Sequence, residues 1–267
     1  MRVLAELGLI CCNFALHSKS SKTRLLNEHN SHPKGLSFVV IGMNDEKSPL
    51  FPEEVRRLIA EHRIFSGGRR HRELVGELLP EGAVWIDIVV PLSDVYAQYR
   101  HYDEPILVFA SGDPLFFGFT TTLMREFEGR VTKTFPSFSS LQMLAHALRL
   151  PYHDMRVVSL TGRPWHEFDR ALIERAHKVG VLTDRKNTPA TIAKRMLDYG
   201  YTAYRMHVGV LLGGEREETY SLPLEEVVTK DFPHPNCLII EAVEPQPYDA
   251  PLGLKELDFF PLNGRVN

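Results

Sequence analysis

Short apolar runs alternate along the chain with segments of helical period, from Leu36 onward. This alternation is typical of strands joined by crossover helices in a largely parallel sheet, so the sequence predicts an α/β fold. The apolar runs predict strands at 38–41, 63–65, 84–90, 106–110, 131–135, 157–160, 179–182, 205–210, 218–221 and 237–243. The helical periods predict helices at 52–61, 116–127, 140–150, 168–177 and 188–199.

The length of 267 residues is sufficient for two small α/β domains. Leu150 and Pro151 interrupt the pattern near its middle, which predicts an N-terminal domain over 35–152 and a C-terminal domain over 153–245. Residues 1–34 end in a polar tract rich in Ser, Asn, Lys and His, and we expect them to be a flexible, dispensable leader. Residues 246–267 are expected to form a C-terminal tail.

Charge and composition exclude several classes of protein. The net charge of -3 provides no basic surface of the kind that binds a nucleic acid backbone. No apolar stretch reaches the ~18 residues that a membrane-spanning helix needs. The three cysteines form no pair or cluster at zinc-ligand spacing, and the histidines include no H-E-x-x-H, so no metal site is expected. We therefore expect a cytoplasmic protein that binds neither nucleic acid nor membrane.

Several predicted strands end in turns that suit ligand binding. The first strand leads into 42–45, G-M-N-D, and the fourth into 111–114, S-G-D-P. Glycine after a strand frees backbone amides for a ligand, and the carboxyl ends of parallel strands form the usual ligand crevice. The plainer alternatives are simple turns, including an Asx turn at Asp113.

Three further connections have the same position. Ser139 or Ser140 is an N-cap by type for the helix that follows 136–138. Thr188 and Pro189 start another helix after L-T-D-R-K-N, whose cations either face an anionic ligand or form a solvated loop. A Gly-Gly turn follows the strand that ends near Val210. No G-x-S-x-G elbow, complete G-x-G-x-x-G or phosphate-binding loop is present, which disfavours hydrolase, NAD-dependent and kinase functions.

Taken in order, these connections resemble the class III (tetrapyrrole) methyltransferase family over roughly residues 36–245. The motifs that carry the resemblance are S-G-D-P-L-F-F-G at 111–118, V-S-L-T-G-R at 158–163, L-T-D-R-K-N-T-P-A-T-I-A at 182–193 and L-L-G-G-E-R-E at 211–217. The resemblance implies two α/β domains with S-adenosylmethionine in the cleft between them. It also implies methyl transfer to the C5 meso carbon of a precorrin in cobalamin biosynthesis.

The resemblance also implies which residues contact the cofactor, largely through their backbones. They are Gly42, Met43, Gly112, Asp113, Phe116, Ser139, Ser140, Thr183 and Gly213. Two loops depart from the family pattern. The usual Gly-x-Gly-Pro-Gly begins here as G-M-N-D at 42–45, and the usual Pro-Gly-Ile-Ser-Ser is P-S-F-S-S at 136–140. No catalytic acid or base is assigned.

A tetrapyrrole substrate with many carboxylates requires cations at the mouth of the cleft, and arginine binds carboxylates best. We therefore expect Arg163, Arg185 and Lys186 to bind substrate, with Arg69 and Arg70 as further candidates. A homodimer is implied, with a separate protein for C15 methylation and decarboxylation. The alternatives are another member of the family, acting on a different precorrin, the sirohaem precursor, diphthamide or ribosomal RNA, and a non-catalytic tetrapyrrole-binding subunit.

Overall fold

The structure is a computed structural model in which residues 35–243 are described. The predicted leader, 1–34, and the predicted tail, 246–267, lie outside the described residues. Across residues 35–243, no helix has the length and apolar character needed to cross a membrane.

The first half of the described chain forms a five-stranded parallel sheet with the order β3-β2-β4-β1-β5. Its strands are β1 Ser37–Met43, β2 Ile64–Gly67, β3 Val84–Asp87, β4 Pro105–Ser111 and β5 Val131–Phe135. The helices in this half are α1 Glu53–Glu61, α2 Arg69–Val75, α3 Leu92–Tyr99, α4 Phe119–Glu126 and α5 Ser140–Leu148.

Both faces of this sheet are covered, which explains why β1 is a continuous apolar run rather than an alternating one. Val39 and Ile41 face a cluster that includes residues of α1, whereas Phe38 and Val40 face a cluster that includes residues of α3 and α4. The parallel register brings the carboxyl ends of β1 and β4 to one edge, with Met43 opposite Ser111.

The second half forms another five-stranded sheet, with the order β6-β7-β10-β8-β9. Its strands are β6 Arg156–Ser159, β7 Lys178–Leu182, β8 Tyr204–Val210, β9 Glu218–Pro223 and β10 Asn236–Ala242. The helices in this half are α6 His166–Ile173, α7 Pro189–Asp198 and α8 Leu224–Val227. Both sheets belong to one compact unit of the chain.

The expectation of a largely parallel sheet is correct for the first half and wrong for the second. Only β6 and β7 pair in parallel there, and the pairs β7–β10, β10–β8 and β8–β9 are antiparallel. For β8 and β9 the reason is the length of their connection, because a parallel crossover needs a dozen or more residues. The connection from β8 to β9, residues 211–217, is too short for one.

Helix α5 precedes the predicted boundary at 152 but packs on the second sheet. Its Leu141 and Leu144 lie in one cluster with Cys237 and Ile239 of β10. Two glycines of the second sheet allow the close approach: a Cβ on Gly180 would lie 2.9 Å from a Leu141 methyl carbon, and one on Gly209 would lie 3.0 Å from a Leu144 methyl carbon. The domain boundary itself stays a prediction.

Several other elements differ from the sequence predictions. Helices α2, α3 and α8 were not predicted, and β3 ends at Asp87 rather than at residue 90. Helix α4 begins at Phe119, not at residue 116, because Asp113 forms an Asx turn in which its carboxylate accepts a hydrogen bond from the Leu115 amide at 2.9 Å. The positive φ of Phe117, 56°, also interrupts the helical path.

Candidate active site

A cavity of about 270 Å³ lies where strand ends of the two sheets meet. Its volume is close to the lower end of the ~300–1,000 Å³ typical of small-ligand clefts. The cavity lies against the end of β1, the β4–α4 loop, the start of α5, the end of β7 and the start of β10. Its wall is formed by Met43, Asn44, Asp45, Arg70, Ser111, Gly112, Asp113, Phe116, Phe117, Gly118, Phe138, Ser139, Ser140, Met143, Leu182, Gly209, Leu212, Pro235, Asn236 and Cys237.

The structure brings most of the cofactor residues expected from the sequence into this wall. Six of them line the cavity directly: Met43, Gly112, Asp113, Phe116, Ser139 and Ser140. Gly42 does not line the cavity, but it packs closely against two of the loops around it. A Cβ at Gly42 would lie 2.8 Å from the Ser137 amide nitrogen and would overlap the Gly112 carbonyl oxygen.

Thr183 and Gly213 are one residue removed from the wall. The Thr183 hydroxyl donates a hydrogen bond to the carbonyl oxygen of Asn236, which lines the cavity, at 2.5 Å. Gly213 has φ of +79°, and a Cβ there would lie 2.8 Å from the methyl carbon of Met143. Both residues therefore lie against residues that form the cavity wall.

The N-cap of α5 fixes one side of the cavity. The Ser139 hydroxyl accepts a hydrogen bond from the Gln142 amide at 3.3 Å, and the Gln142 side chain accepts one from the Ser139 amide at 2.9 Å. This reciprocal capping box satisfies two backbone donors at the start of the helix. It confirms Ser139, rather than Ser140, as the N-cap.

The two departures from the family loop pattern meet in space. Asn44 and Ser137 both stand where the family pattern has glycine, and the Ser137 hydroxyl donates a hydrogen bond to the Asn44 side-chain oxygen at 2.9 Å. The next residue, Asp45, forms an ion pair with Arg70. Burial raises the pKa of Asp45, although the Arg70 charge acts in the opposite direction. The first loop is thus held by side-chain contacts of Asn44 and Asp45, in a region where the family pattern is rich in glycine.

His71 is a site-adjacent residue that the sequence analysis missed. It is the third residue of α2, and its ring lies between the Gly68 amide, at 3.2 Å from Nδ1, and the Ser111 hydroxyl, at 3.0 Å from Nε2. Burial, together with the Arg70 charge, lowers the pKa of His71 to about 4. The usable signal was the Gly67-Gly68 pair at the end of β2, a strand-end turn of the same kind as those at 42 and 112.

Cys237 lies in the cavity wall, and its side chain is buried. Burial raises the pKa of its thiol to about 12, against an opposing hydrogen bond with Ser140. Because the thiolate is the nucleophile, we expect iodoacetamide at pH 8 to leave Cys237 unmodified in the native protein and to alkylate it in urea. Peptide mass spectrometry measures the difference, and equal labelling in both states would contradict it.

A second cavity, of about 760 Å³, adjoins the first, and both share Phe116, Phe117 and Gly118 in their walls. Arg125 and Arg163 also line the second cavity. The Arg163 guanidinium lies 5.0 Å from the centre of the Phe117 ring, a cation–π contact that fixes its position. An exposed cation on an aromatic ring, with a second exposed cation in the same cavity wall, suits a flat ligand with carboxylates.

The other cations that were expected to bind substrate do not line the second cavity. Arg185 and Lys186 are exposed on the β7–α7 loop and line neither cavity, and Arg69 pairs with Glu73 on the surface. Arg70 lines the first cavity.

One carboxylate joins the loop of Arg185 and Lys186 to the loop of Arg163. Asp184 accepts hydrogen bonds from the amides of Gly162 at 2.8 Å, Lys186 at 2.8 Å and Asn187 at 2.7 Å. Burial alone would raise the pKa of Asp184, but these hydrogen bonds outweigh it and lower the pKa. The three cations therefore lie on two loops that are held together.

Residues 38–228 match the family described as Tetrapyrrole (Corrin/Porphyrin) Methylases. The chain belongs to this family. The assignment confirms the resemblance found in the sequence. Among described residues of this methylase, no group of three or more His, Cys, Asp or Glu side chains is arranged to hold a metal ion.

Relatives of this tetrapyrrole methylase include a precorrin-6Y C(5,15)-methyltransferase (decarboxylating) from Sinorhizobium sp, 33% identical over 192 residues. That match covers 70% of this chain and 46% of the relative, so the chain spans about half the length of that protein. A cobalt-precorrin-7 C(5)-methyltransferase from Salmonella typhimurium is 31% identical over 71% of this chain and 92% of its own length.

Similarity to solved structures confirms that this chain has the α/β fold of the class III methyltransferases. A precorrin-6Y methylase from Archaeoglobus fulgidus is similar with a TM-score of 0.60 and 18% identity, over 78% of this chain and 97% of that one. A uroporphyrin-III C-methyltransferase from Thermus thermophilus, solved with S-adenosylhomocysteine, gives a TM-score of 0.57 and 21% identity, over 78% and 92% of the two chains.

Proposed function

We propose that this tetrapyrrole methylase transfers a methyl group from S-adenosylmethionine to the C5 meso carbon of a precorrin, either precorrin-6Y/precorrin-7 or cobalt-precorrin-7, in cobalamin biosynthesis. One observation carries the proposal. Two relatives of different overall length are both named as methyltransferases that act at C5. The two identities, 33% and 31%, extend over about 70% of this chain.

The first cavity is the proposed cofactor site. Met43, Phe116 and Met143 give it apolar walls, and Arg70 and Asp113 add charges of both signs. This combination suits a molecule that joins apolar groups to a zwitterionic amino acid. Bound there, the cofactor supplies an electrophilic methyl group.

The second cavity is the proposed site for the tetrapyrrole. Its boundary with the first cavity, at Phe116 and Phe117, is where methyl donor and acceptor carbon would meet. Holding the two partners in line contributes much of the acceleration in such a transfer. The protein's part is therefore to bind both molecules, to orient them and to exclude water.

The proposal extends to the protein's partners and location. We propose a cytoplasmic homodimer that works with a separate C15-methyltransferase and decarboxylase. The match covers 92% of the C5 enzyme and 46% of the C5,15 enzyme.

Incubation with methyl-labelled S-adenosylmethionine and purified precorrin-7, or its cobalt complex, tests the proposal. We expect one labelled methyl group by mass spectrometry, located at C5 by NMR. Label at another carbon would assign the protein to a different reaction of the family. Calorimetry with S-adenosylmethionine that detected no binding would favour the non-catalytic subunit.

Removing the proposed substrate cations should weaken tetrapyrrole binding selectively. We expect Arg163→Ala to raise the tetrapyrrole KM about tenfold, as for the loss of a hydrogen bond to a charged group. The double variant Arg185→Ala/Lys186→Ala should raise it less, because neither residue lines the second cavity. Affinity for S-adenosylhomocysteine should not change. Lys194→Ala is the matched control, because Lys194 is an exposed cation that pairs with Asp198 on α7. An unchanged KM would remove the altered residue from the substrate site.

A further inference from the structure

The short helix α2 brings His71 against the first cavity in one defined orientation. The Gly68 amide donates a hydrogen bond to His71 Nδ1 at 3.2 Å, so Nδ1 carries a lone pair. In the neutral ring the hydrogen is then on Nε2, which donates to the Ser111 hydroxyl oxygen at 3.0 Å. Gly67 allows the ring to lie this close, since a Cβ there would lie 3.1 Å from that of His71.

This contact determines what Ser111 can offer to a ligand. A serine hydroxyl has one hydrogen and two lone pairs, and His71 occupies one lone pair. Ser111 is exposed and lines the cavity. Within residues 35–243 its hydroxyl makes no other hydrogen bond, so the hydroxyl hydrogen is free to be donated into the cavity.

The neighbouring charge indicates what kind of acceptor would bind there. Arg70 precedes His71 and lines the same cavity, and its guanidinium has donors beyond those used by Asp45. A hydroxyl donor and a guanidinium in the wall of one cavity suit a carboxylate.

We propose that Ser111 donates a hydrogen bond to a carboxylate of the ligand in this cavity, and that His71 is the positioning residue that orients the Ser111 hydroxyl. The inference rests on the proposed function, in which both ligands carry carboxylates: the amino acid end of the cofactor and the side chains of the tetrapyrrole. His71 acts as a fixed donor and takes up no proton, in keeping with its lowered pKa of about 4.

Two substitutions at position 71 separate the two hydrogen bonds of the ring. His71→Asn places an amide oxygen near the position of Nδ1, which retains the Gly68 contact, but it is too short to reach Ser111. His71→Gln places an amide nitrogen near the position of Nε2, which retains the donor to Ser111. We therefore expect His71→Asn to behave like Ser111→Ala and His71→Gln to rescue binding.

The binding measurements have two arms, which distinguish the sources of the carboxylate. If it belongs to the cofactor, Ser111→Ala and His71→Asn should each raise the dissociation constant of S-adenosylhomocysteine about tenfold. If it belongs to the tetrapyrrole, both should instead raise the tetrapyrrole KM by that factor. The double variant should lose no more than Ser111→Ala alone, since His71 acts through Ser111.

Several results would overturn the inference. Unchanged constants for Ser111→Ala in both arms would remove Ser111, and a full additive loss in the double variant, or no rescue by His71→Gln, would reduce His71 to a structural role. Nitrogen-15 NMR of the ring provides a readout without any ligand: Nε2 should be protonated and Nδ1 unprotonated from pH 6 to 9, and the opposite tautomer would contradict the proposal. Methyl transfer by the unaltered protein, measured alongside, tests the proposed function separately.

Discussion

Replacement of Gly42 by alanine is expected to reduce methyl transfer about 100-fold, because three backbone segments meet at that position. An added Cβ would overlap the Gly112 carbonyl oxygen and lie 2.8 Å from the Ser137 amide nitrogen and 2.9 Å from the Pro114 ring. Backbone atoms cannot rotate away as the end of a side chain can, so the end of β1 and the two loops would have to separate.

The expected losses are large in both binding and stability. Overpacking of this kind costs about 1–3 kcal/mol in the free energy of unfolding. A displacement of about 1 Å in the residues that position a substrate can reduce the rate about 100-fold. Urea unfolding measures the loss of stability, the methyl-transfer assay measures the loss of rate, and calorimetry with S-adenosylhomocysteine measures the loss of binding.

Gly76→Ala is the matched control for this substitution. A Cβ at Gly76 meets nothing within 4 Å, and its φ of −53° and ψ of −40° are helical. We expect it to leave binding unchanged and to stabilise the protein by up to about 1 kcal/mol. If Gly42→Ala bound S-adenosylhomocysteine as well as Gly76→Ala does, the tight packing of these loops would be refuted.

The second large effect is expected for Asp184→Ala, which removes the carboxylate that joins two loops. Three backbone amides, from Gly162, Lys186 and Asn187, lose their acceptor at once. Because hydrogen bonds to charged groups contribute about 1.5–3 kcal/mol each and are not additive, we expect a loss of at least that amount from the free energy of unfolding. We also expect a rise of tenfold or more in the tetrapyrrole KM, since the loop that carries Arg163 would no longer be joined to Asp184.

The pH dependence of stability provides an independent check of Asp184. Its pKa in the folded state is lowered from 3.8, so its contribution is present above pH 3.8 and is lost as the pH falls through the lower, folded value. Over the same fall in pH, the free energy of unfolding should therefore decrease less for the Asp184→Ala variant than for the unaltered protein. Asp198→Ala, which breaks an exposed pair with Lys194, should cost about 1 kcal/mol or less. Equal effects of the two substitutions would contradict the role of Asp184.

The sequence predicted strands better than helices, for a physical reason. β1 and β4 are buried on both faces and are therefore continuous apolar runs. Helix α2, by contrast, has the sequence R-R-H-R-E-L-V with only Val75 buried, so its pattern gives almost no helical period. The antiparallel pairing of β8 and β9 depends on connection length, which the apolar pattern alone does not reveal.

The same distinction applies to the site. Strand-end turns indicated Gly112 and Ser139, because a turn at a strand end is a local feature. The partnership between His71 and Ser111 spans 40 residues, and no local pattern links them. The separation of Arg185 and Lys186 from both cavities also depends on the path of the folded chain.

The Asn44–Ser137 hydrogen bond has a consequence for attempts to graft the loops of a relative onto this chain. The two positions are 93 residues apart, yet each side chain satisfies the other. Exchanging Asn44 alone for glycine would leave the Ser137 hydroxyl without its acceptor, and exchanging Ser137 alone would leave the Asn44 amide oxygen without its donor. A transplanted loop should therefore function only when both positions are exchanged in the same step.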